Sequence, residues 1–188
     1  MNPADQKKER AVFLDRDGVL NKAVERDGKP VAPLHLSEFQ IIPGAAEEIQ
    51  AMRQELGARI IVVTNQPDIE RGTLAPEELE RMHQLLKEQI KPDEIVVCPH
   101  GQDGCRCRKP EPGMLLDAAQ RWRIDLAHSF MIGDRWKDIE AGRRAGCTTI
   151  LLKYPYNSQV QADYTVENLQ EAVSLMAYLW EKRHENIR

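Results

Sequence analysis

The sequence lacks any apolar stretch long enough to cross a membrane. Its longest runs, around Ile60 to Val63 and Ile150 to Leu152, fall far short of the roughly 18 residues a span needs. The first ten residues carry Asp5, Lys7, Lys8, Glu9 and Arg10 and no apolar block, so the expectation is no secretory signal, no membrane partner and a cytoplasmic location. There is no excess of positive charge either. Lys plus Arg number 26 against 30 Asp plus Glu, a formal net charge of -4, and the interspersed signs leave no basic face for nucleic acid. The chain has no internal repeat and no low-complexity segment. It contains no G-x-G-x-x-G, no G-x-x-x-x-G-K and no G-x-S-x-G, so dinucleotide, P-loop and serine-hydrolase chemistry lose their primary signals. What remains is 188 residues, 41% hydrophobic and 30% charged, which suits one domain over 1–188 with a single set of core layers.

The apolar residues alternate between two periods. Ala11 to Leu14, Ala58 to Val63, Glu94 to Val97, Phe130 to Ile132 and Thr149 to Leu152 read as buried strands. Helical spacing follows each: Ala46 to Leu56 closed by Gly57, Pro76 to Ile90, Met114 to Trp122, Lys137 to Ala145 closed by Gly146, and a last helix through Leu169, Val173, Met176 and Trp180. Strand and helix in alternation predict an α/β fold, a three-layer parallel sheet of Rossmann-like form with helices on both faces. In such sheets ligands bind at the carboxyl ends of the strands.

Those ends carry the polar residues. The first strand stops at Asp15-Arg16-Asp17-Gly18, and in an extended segment the two carboxylates project on one face. Such a pair binds a hard cation such as magnesium, or places one carboxylate as a nucleophile toward phosphorus. A calcium-binding EF-hand is excluded because Val19 and Leu20 stand where it needs an oxygen ligand and a glycine. Thr64 and Asn65 follow the second strand, Lys109 the third strand and its loop, and Asp134 and Asp138 the fourth. Nucleophile, cation site, lysine and hydrogen-bond donors are the set that phosphoryl transfer requires.

Asp15-x-Asp17-Gly18-Val19, Thr64-Asn65-Gln66, Lys109-Pro110 and Gly133-Asp134-x-x-x-Asp138 resemble the four motifs of the haloacid dehalogenase superfamily. The resemblance implies Asp15 as nucleophile, Asp17 as general acid and base, and Thr64 and Lys109 as the residues that stabilise the phosphoryl group. It implies magnesium on Asp15, Asp134 and the backbone carbonyl of Asp17, with Asp138 ordering the loop. The connection from Val19 to Ile42 is too short for a cap domain, so a capless, open site is expected. Its substrate would then be chosen by Lys22 to Leu34, Pro67 to Thr73 and the cysteine loop.

Three of the four cysteines fall in that loop. Cys98, His100, Cys105 and Cys107 supply the four ligands of a closed, structural zinc site, an inserted zinc-binding loop over 98–107, with free or oxidised thiols as the alternative. Its place two residues before Lys109 suggests that it fixes Arg108 and Lys109. A Cys-His loop ahead of Arg108-Lys109-Pro110 resembles that of D-glycero-D-manno-heptose 1,7-bisphosphate phosphatases, as do Ile69-Glu70-Arg71-Gly72 and Pro110-Glu111-Pro112-Gly113. That likeness implies a small phosphorylated sugar as substrate, recognised by Arg108 and Arg135 with Asn65, Gln66 and Arg71 nearby, and a monomeric enzyme of bacterial surface carbohydrate synthesis. The sequence departs from that family at Pro67, where a serine is common, and in the long Ala23 to Pro33 segment, which lacks the usual His-Gly-Tyr. The four residues between His100 and Cys105 resemble the related histidinol-phosphate phosphatases instead. Histidinol phosphate or another phosphomonoester is thus the rival substrate, and a zinc-stabilised binding module the reading without catalysis. His83 is expected to be a surface or packing residue, Cys147 a buried inert thiol, and Trp122 and Trp180 to lie in the core.

Overall fold

The protein's structure, a computed structural model, describes residues 8–101 and 104–185. The charged stretch before Lys8 and the loop positions Gln102 and Asp103 lie outside the described residues. Strand β1 (Ala11–Leu14) is buried throughout, and its alternation decides the layering: Val12 and Leu14 enter one core, Ala11 and Phe13 the other. It pairs in parallel with β4 (Arg59–Asn65) on one side and β6 (Phe130–Gly133) on the other. With β5 (Glu94–Cys98), β7 (Thr148–Leu152) and the short edge strand β8 (Tyr164–Val166), the sheet runs β5-β4-β1-β6-β7-β8, all parallel.

Helices α1 (Ala45–Leu56), α2 (Pro76–Gln89) and α5 (Leu169–Glu185) cover one face. Helices α3 (Gly113–Trp122) and α4 (Trp136–Ala145) cover the other, which makes the expected three layers. The chain moves from β1 outward to β4 and β5, then returns to lay β6 beside β1. Strand direction of travel therefore reverses at β1, and the carboxyl ends of β1, β4 and β6 open into a common crevice.

The segment expected as a substrate loop, Lys22 to Leu34, holds a two-stranded ribbon, β2 (Val24–Arg26) and β3 (Lys29–Val31), in place of a cap. Asp27 and Gly28 turn it with φ of 52° and 69°, the left-handed pair that suits a tight hairpin. Pro30 is tolerated because a two-stranded ribbon has a free edge. Trp122 and Trp180, expected in the core, sit at its margins. Trp122 donates from Nε1 to Glu94 at 2.7 Å, and Arg10 lies 3.4 Å from the centre of the Trp180 ring. Each ring covers apolar surface while its outer face meets a polar partner.

Phe13 is fully buried at the middle of the central strand. Phe13→Ala should cost about 3–5 kcal/mol in urea unfolding; a loss under about 1 kcal/mol would show that the α3/α4 face is loosely packed.

Candidate active site

A buried ammonium group organises the crevice. Lys109 Nζ donates to Asp15 Oδ1 at 2.7 Å and to the Val63 carbonyl at 2.8 Å, and pairs with Asp138 Oδ1 at 2.7 Å. Asp15 extends from the end of β1, Val63 belongs to β4, and Asp138 lies in the first turn of α4. Burial works against the lysine's charge, but Asp138 and Asp15 outweigh it and hold the ammonium above its ordinary range. Asn65 clamps the same residue by its main chain, accepting from Lys109 N–H and donating to its carbonyl, both at 3.0 Å. The side chain expected to meet substrate thus spends its amide on positioning Lys109.

Asp17 points elsewhere. Its carboxylate accepts from Arg16 at 2.8 and 3.0 Å, from Asn21 at 3.0 Å and from Gln66 at 2.8 Å. Gln66 also donates to Thr64 Oγ1 at 2.9 Å, so it bridges Asp17 and Thr64. Arg16 is wholly buried under Phe39 and contacts Nε2 of His83 at 3.3 Å. Burial first, then Arg16, pushes the His83 pKa down to about 4, so the imidazole is neutral and accepts from the guanidinium. His83, read from sequence as a surface or packing residue, is buried and supports the clamp on Asp17.

Asp134 closes the far side. It is fully buried, and its Oδ2 accepts from the Tyr156 hydroxyl at 2.5 Å, while its Oδ1 has no partner. Gly18 permits this approach: its φ is +89°, and a Cβ there would lie 2.5 Å from Asp134 Oδ2. Asp138 spends Oδ1 on Lys109 and accepts from Arg135 N–H with Oδ2 at 2.9 Å. Burial, reinforced by Asp138, raises Asp15 well above the carboxylate range against the pull of Lys109. Burial likewise raises Asp134 to about 7, again with Asp138 adding to it and Tyr156 opposing.

Asp15, Asp134 and Asp138 each offer an oxygen, all within 4.8 Å of one another. Three buried carboxylates face one buried ammonium, and an orphaned carboxylate oxygen lies among them. Surplus negative charge and hard oxygen donors fit a divalent cation such as magnesium.

The cysteine loop brings its four expected ligands together. Nδ1 of His100 lies 3.5, 3.0 and 3.3 Å from the sulfurs of Cys98, Cys105 and Cys107. Sulfur separations of 2.9 and 3.0 Å exceed the roughly 2.05 Å of a disulfide bond. Four converging soft donors with no bond between them fit zinc. Cys147 is remote and buried, its thiol pushed up to about 12 by burial alone, in keeping with an inert role.

The arginines separate into two groups. Arg108 donates to the His100 carbonyl at 2.8 Å on the cysteine-loop side, whereas Arg135 donates to the Pro30 carbonyl at 2.7 Å and so ties the β2–β3 ribbon to the loop after β6. Arg71 is half-exposed and pairs with Asp68 at 3.4 Å. Sequence reasoning passed over Arg16, Asn21, Tyr154, Tyr156 and Asn157. The two tyrosines stack with ring centres 5.1 Å apart, and beside them a pocket of about 610 Å³ runs between Gly18, Lys22, Val24 and Pro30. Their signal was their place: they follow β7 at the same sheet edge as the recognised motifs.

The profile of the HAD-hydrolase-like family matches residues 106–172. A D-glycero-beta-D-manno-heptose-1,7-bisphosphate 7-phosphatase of Pasteurella multocida is 33% identical over 185 residues, which cover 89% of this chain and 96% of that one. A D-glycero-alpha-D-manno-heptose-1,7-bisphosphate 7-phosphatase of Photorhabdus laumondii is 33% identical over 180 residues, covering 85% and 92%. Among solved structures, the D,D-heptose 1,7-bisphosphate phosphatase of B. bronchiseptica, complexed with magnesium and phosphate, matches with a TM-score of 0.77 at 29% identity, over 90% of this chain and 98% of that one.

The neutral His83 carries a pH signature. Its folded pKa is depressed, so its stabilising contribution is present above about 6.5 and is lost as pH falls toward 4. Relative to His83→Gln, the wild type should lose about 1–2 kcal/mol of stability between pH 7.5 and pH 5 in urea titrations. Parallel stability–pH curves for the two proteins would show that the imidazole is not held neutral.

Proposed function

This chain belongs to the heptose-1,7-bisphosphate 7-phosphatase family of HAD-like hydrolases, and from that premise we propose how its residues perform the reaction. The enzyme is a phosphomonoester hydrolase that removes the C7 phosphate of D-glycero-D-manno-heptose 1,7-bisphosphate. The observation that carries the assignment of residues is the buried Asp15 carboxylate held 2.7 Å from Lys109 among surplus negative charge.

Asp15 attacks phosphorus, the bond from phosphorus to the sugar oxygen breaks, and Asp17, entering the cycle protonated and turned from Arg16 toward the substrate, delivers that proton to the departing oxygen. Asp17 then takes a proton from water, whose oxygen attacks the phosphorus of the aspartyl phosphate. The phosphorus bond to Asp15 breaks, inorganic phosphate leaves, and Asp15 returns as a carboxylate. Lys109 and Thr64 meet the phosphoryl oxygens, with Gln66 joining Thr64 to the proton-transfer residue. Asp15, Asp134 and the Asp17 main-chain carbonyl would hold magnesium, which would supply positive charge against the transferring group. Asp138 and Asn65 position Lys109.

Arg108 and Arg135 flank the site and suit the second phosphate of a bisphosphate, while Arg71 contributes from the more exposed rim. A zinc on Cys98, His100, Cys105 and Cys107 is structural, because four protein ligands leave no place for a catalytic water. The whole chain acts as one domain and as a cytoplasmic monomer in the supply of heptose for bacterial surface carbohydrate. No helix among the described residues is long and apolar enough to cross a membrane. The short spacing from His100 to Cys105 favours one second reading, histidinol phosphate as substrate.

Phosphate release under excess magnesium separates these substrates. One heptose anomer should reach a kcat/KM of about 10⁴ M⁻¹s⁻¹ or more, with histidinol phosphate lower by orders of magnitude; the reverse ranking would select the second reading. Asp15→Asn should fold like the wild type and lose at least about 10³-fold in turnover. Comparable activity in that variant would remove Asp15 as nucleophile.

Protein purified without chelator should carry close to one zinc. Cys107→Ser should lose that metal and melt several degrees lower, whereas less than half an equivalent in the wild type would count against the zinc site.

A further inference from the structure

We propose that Tyr156 is a positioning residue for the divalent cation: its hydroxyl fixes the rotation of the Asp134 carboxylate, so that Oδ1 is the oxygen presented to the metal. The inference rests on the reading of Asp134 as a magnesium ligand. It begins from the asymmetry of that carboxylate. Oδ2 accepts from Tyr156 at 2.5 Å, and Oδ1 is buried with no partner at all. An unpartnered carboxylate oxygen in the interior is costly unless a cation completes it.

The donor that orients Asp134 is itself firmly held. The Tyr156 ring stacks on Tyr154 with an interplanar angle of 6°, and the Arg135 guanidinium lies 5.3 Å from the ring centre on the Tyr156 side of the stack. Tyr154 is tied in turn to the Gly18 carbonyl at 2.9 Å. Asn157, next in the same turn, donates to the Asp134 main-chain carbonyl at 2.7 Å and to that of Leu152 at 2.8 Å. One short segment therefore grips Asp134 by both backbone and side chain.

The chemistry of the donor matters. Asp15 and Asp138 are bound by an ammonium group, which orients a carboxylate but also cancels part of its charge. A phenol is neutral, so it orients Asp134 and leaves the full negative charge for a cation. A phenolic hydroxyl keeps its proton at neutral pH, so Tyr156 stays a donor to Asp134. Hydrogen-bond partners of metal-ligating carboxylates are typically worth 10- to 100-fold in metal affinity.

The test is an equilibrium magnesium titration by calorimetry on the full, zinc-loaded chain, comparing wild type, Tyr156→Phe and Tyr154→Phe. Both variants keep the stacked rings and each removes one hydroxyl, so their melting temperatures should agree. Tyr156→Phe should bind magnesium about 10- to 100-fold more weakly, with Tyr154→Phe within about 3-fold of wild type. In turnover, the magnesium concentration for half-maximal rate should rise by the same factor in Tyr156→Phe, while kcat at saturating magnesium holds to within about 3-fold. Unchanged affinity in Tyr156→Phe would overturn the inference and leave the magnesium reading intact. Equal weakening in the two variants would also overturn it, by assigning the effect to the loop. A wild type that binds no magnesium would bring down the inference together with the reading beneath it.

Discussion

Everything at the strand ends depends on one buried positive charge. Lys109 Nζ has three protons and three partners: Asp15, Asp138 and the Val63 carbonyl. A lysine that is 2% exposed is stable as an ion only if such partners replace its water. Because the partners come from the end of β1, from β4 and from the first turn of α4, the ammonium fixes three separate elements at hydrogen-bonding distance of one point. Removing the charge would leave carboxylates facing one another in a buried crevice. The fold and the proposed chemistry therefore share a keystone, the one ion that satisfies the crevice's buried acids.

The chain delivers Lys109 along an improbable path, a loop between β5 and α3 with no helix or strand among its described residues. Two devices compensate. From one side Asn65 brackets the lysine's main chain with a donor and an acceptor. From the other the cysteine loop ends at Cys107, and Arg108 reaches back to the His100 carbonyl. With Cys98, His100, Cys105 and Cys107 drawn together, the loop has less conformational freedom left to lose in ordering Lys109.

The buried strands of the parallel sheet and the polar residues at their carboxyl ends were legible because both follow from strong local signals: β-branched runs for the strands, and charged or hydroxyl residues where those runs stop. What was missed has weaker signals. The ribbon β2–β3 carried a legible Asp27-Gly28 turn, but three-residue strands containing Pro30 and little alternation give no periodicity to read. β8 is likewise only three residues at an edge. Arg16 looked like a spacer between two acids, yet it is among the most buried residues of the protein. Its role emerges only when Phe39 and His83, distant in sequence, are packed around it. Tyr154 and Tyr156 follow a strand just as the motifs do, but tyrosine at a strand end has no single chemical meaning until its hydroxyl finds Gly18 or Asp134.

The charged cradle and the ribbon beside it are anchored unequally. Asp15 and Asp134 follow buried strand ends, Asp138 lies in the first turn of α4, and Lys109 is buried among them, so any shift disturbs the core. The ribbon that flanks them is a two-stranded element, marginal alone, and it is held by a few side chains. Arg26 binds Glu38 and the Ala32 carbonyl, and Arg135 binds Pro30. Sequence changes in the ribbon can therefore reshape the pocket beside Tyr154 and Tyr156 while the charged cradle stays fixed. Arg135 is where the two systems meet. Its N–H caps Asp138, its guanidinium faces the Tyr156 ring, and its far end carries the ribbon. Arg135 thus joins the ribbon to the residue next to Asp134.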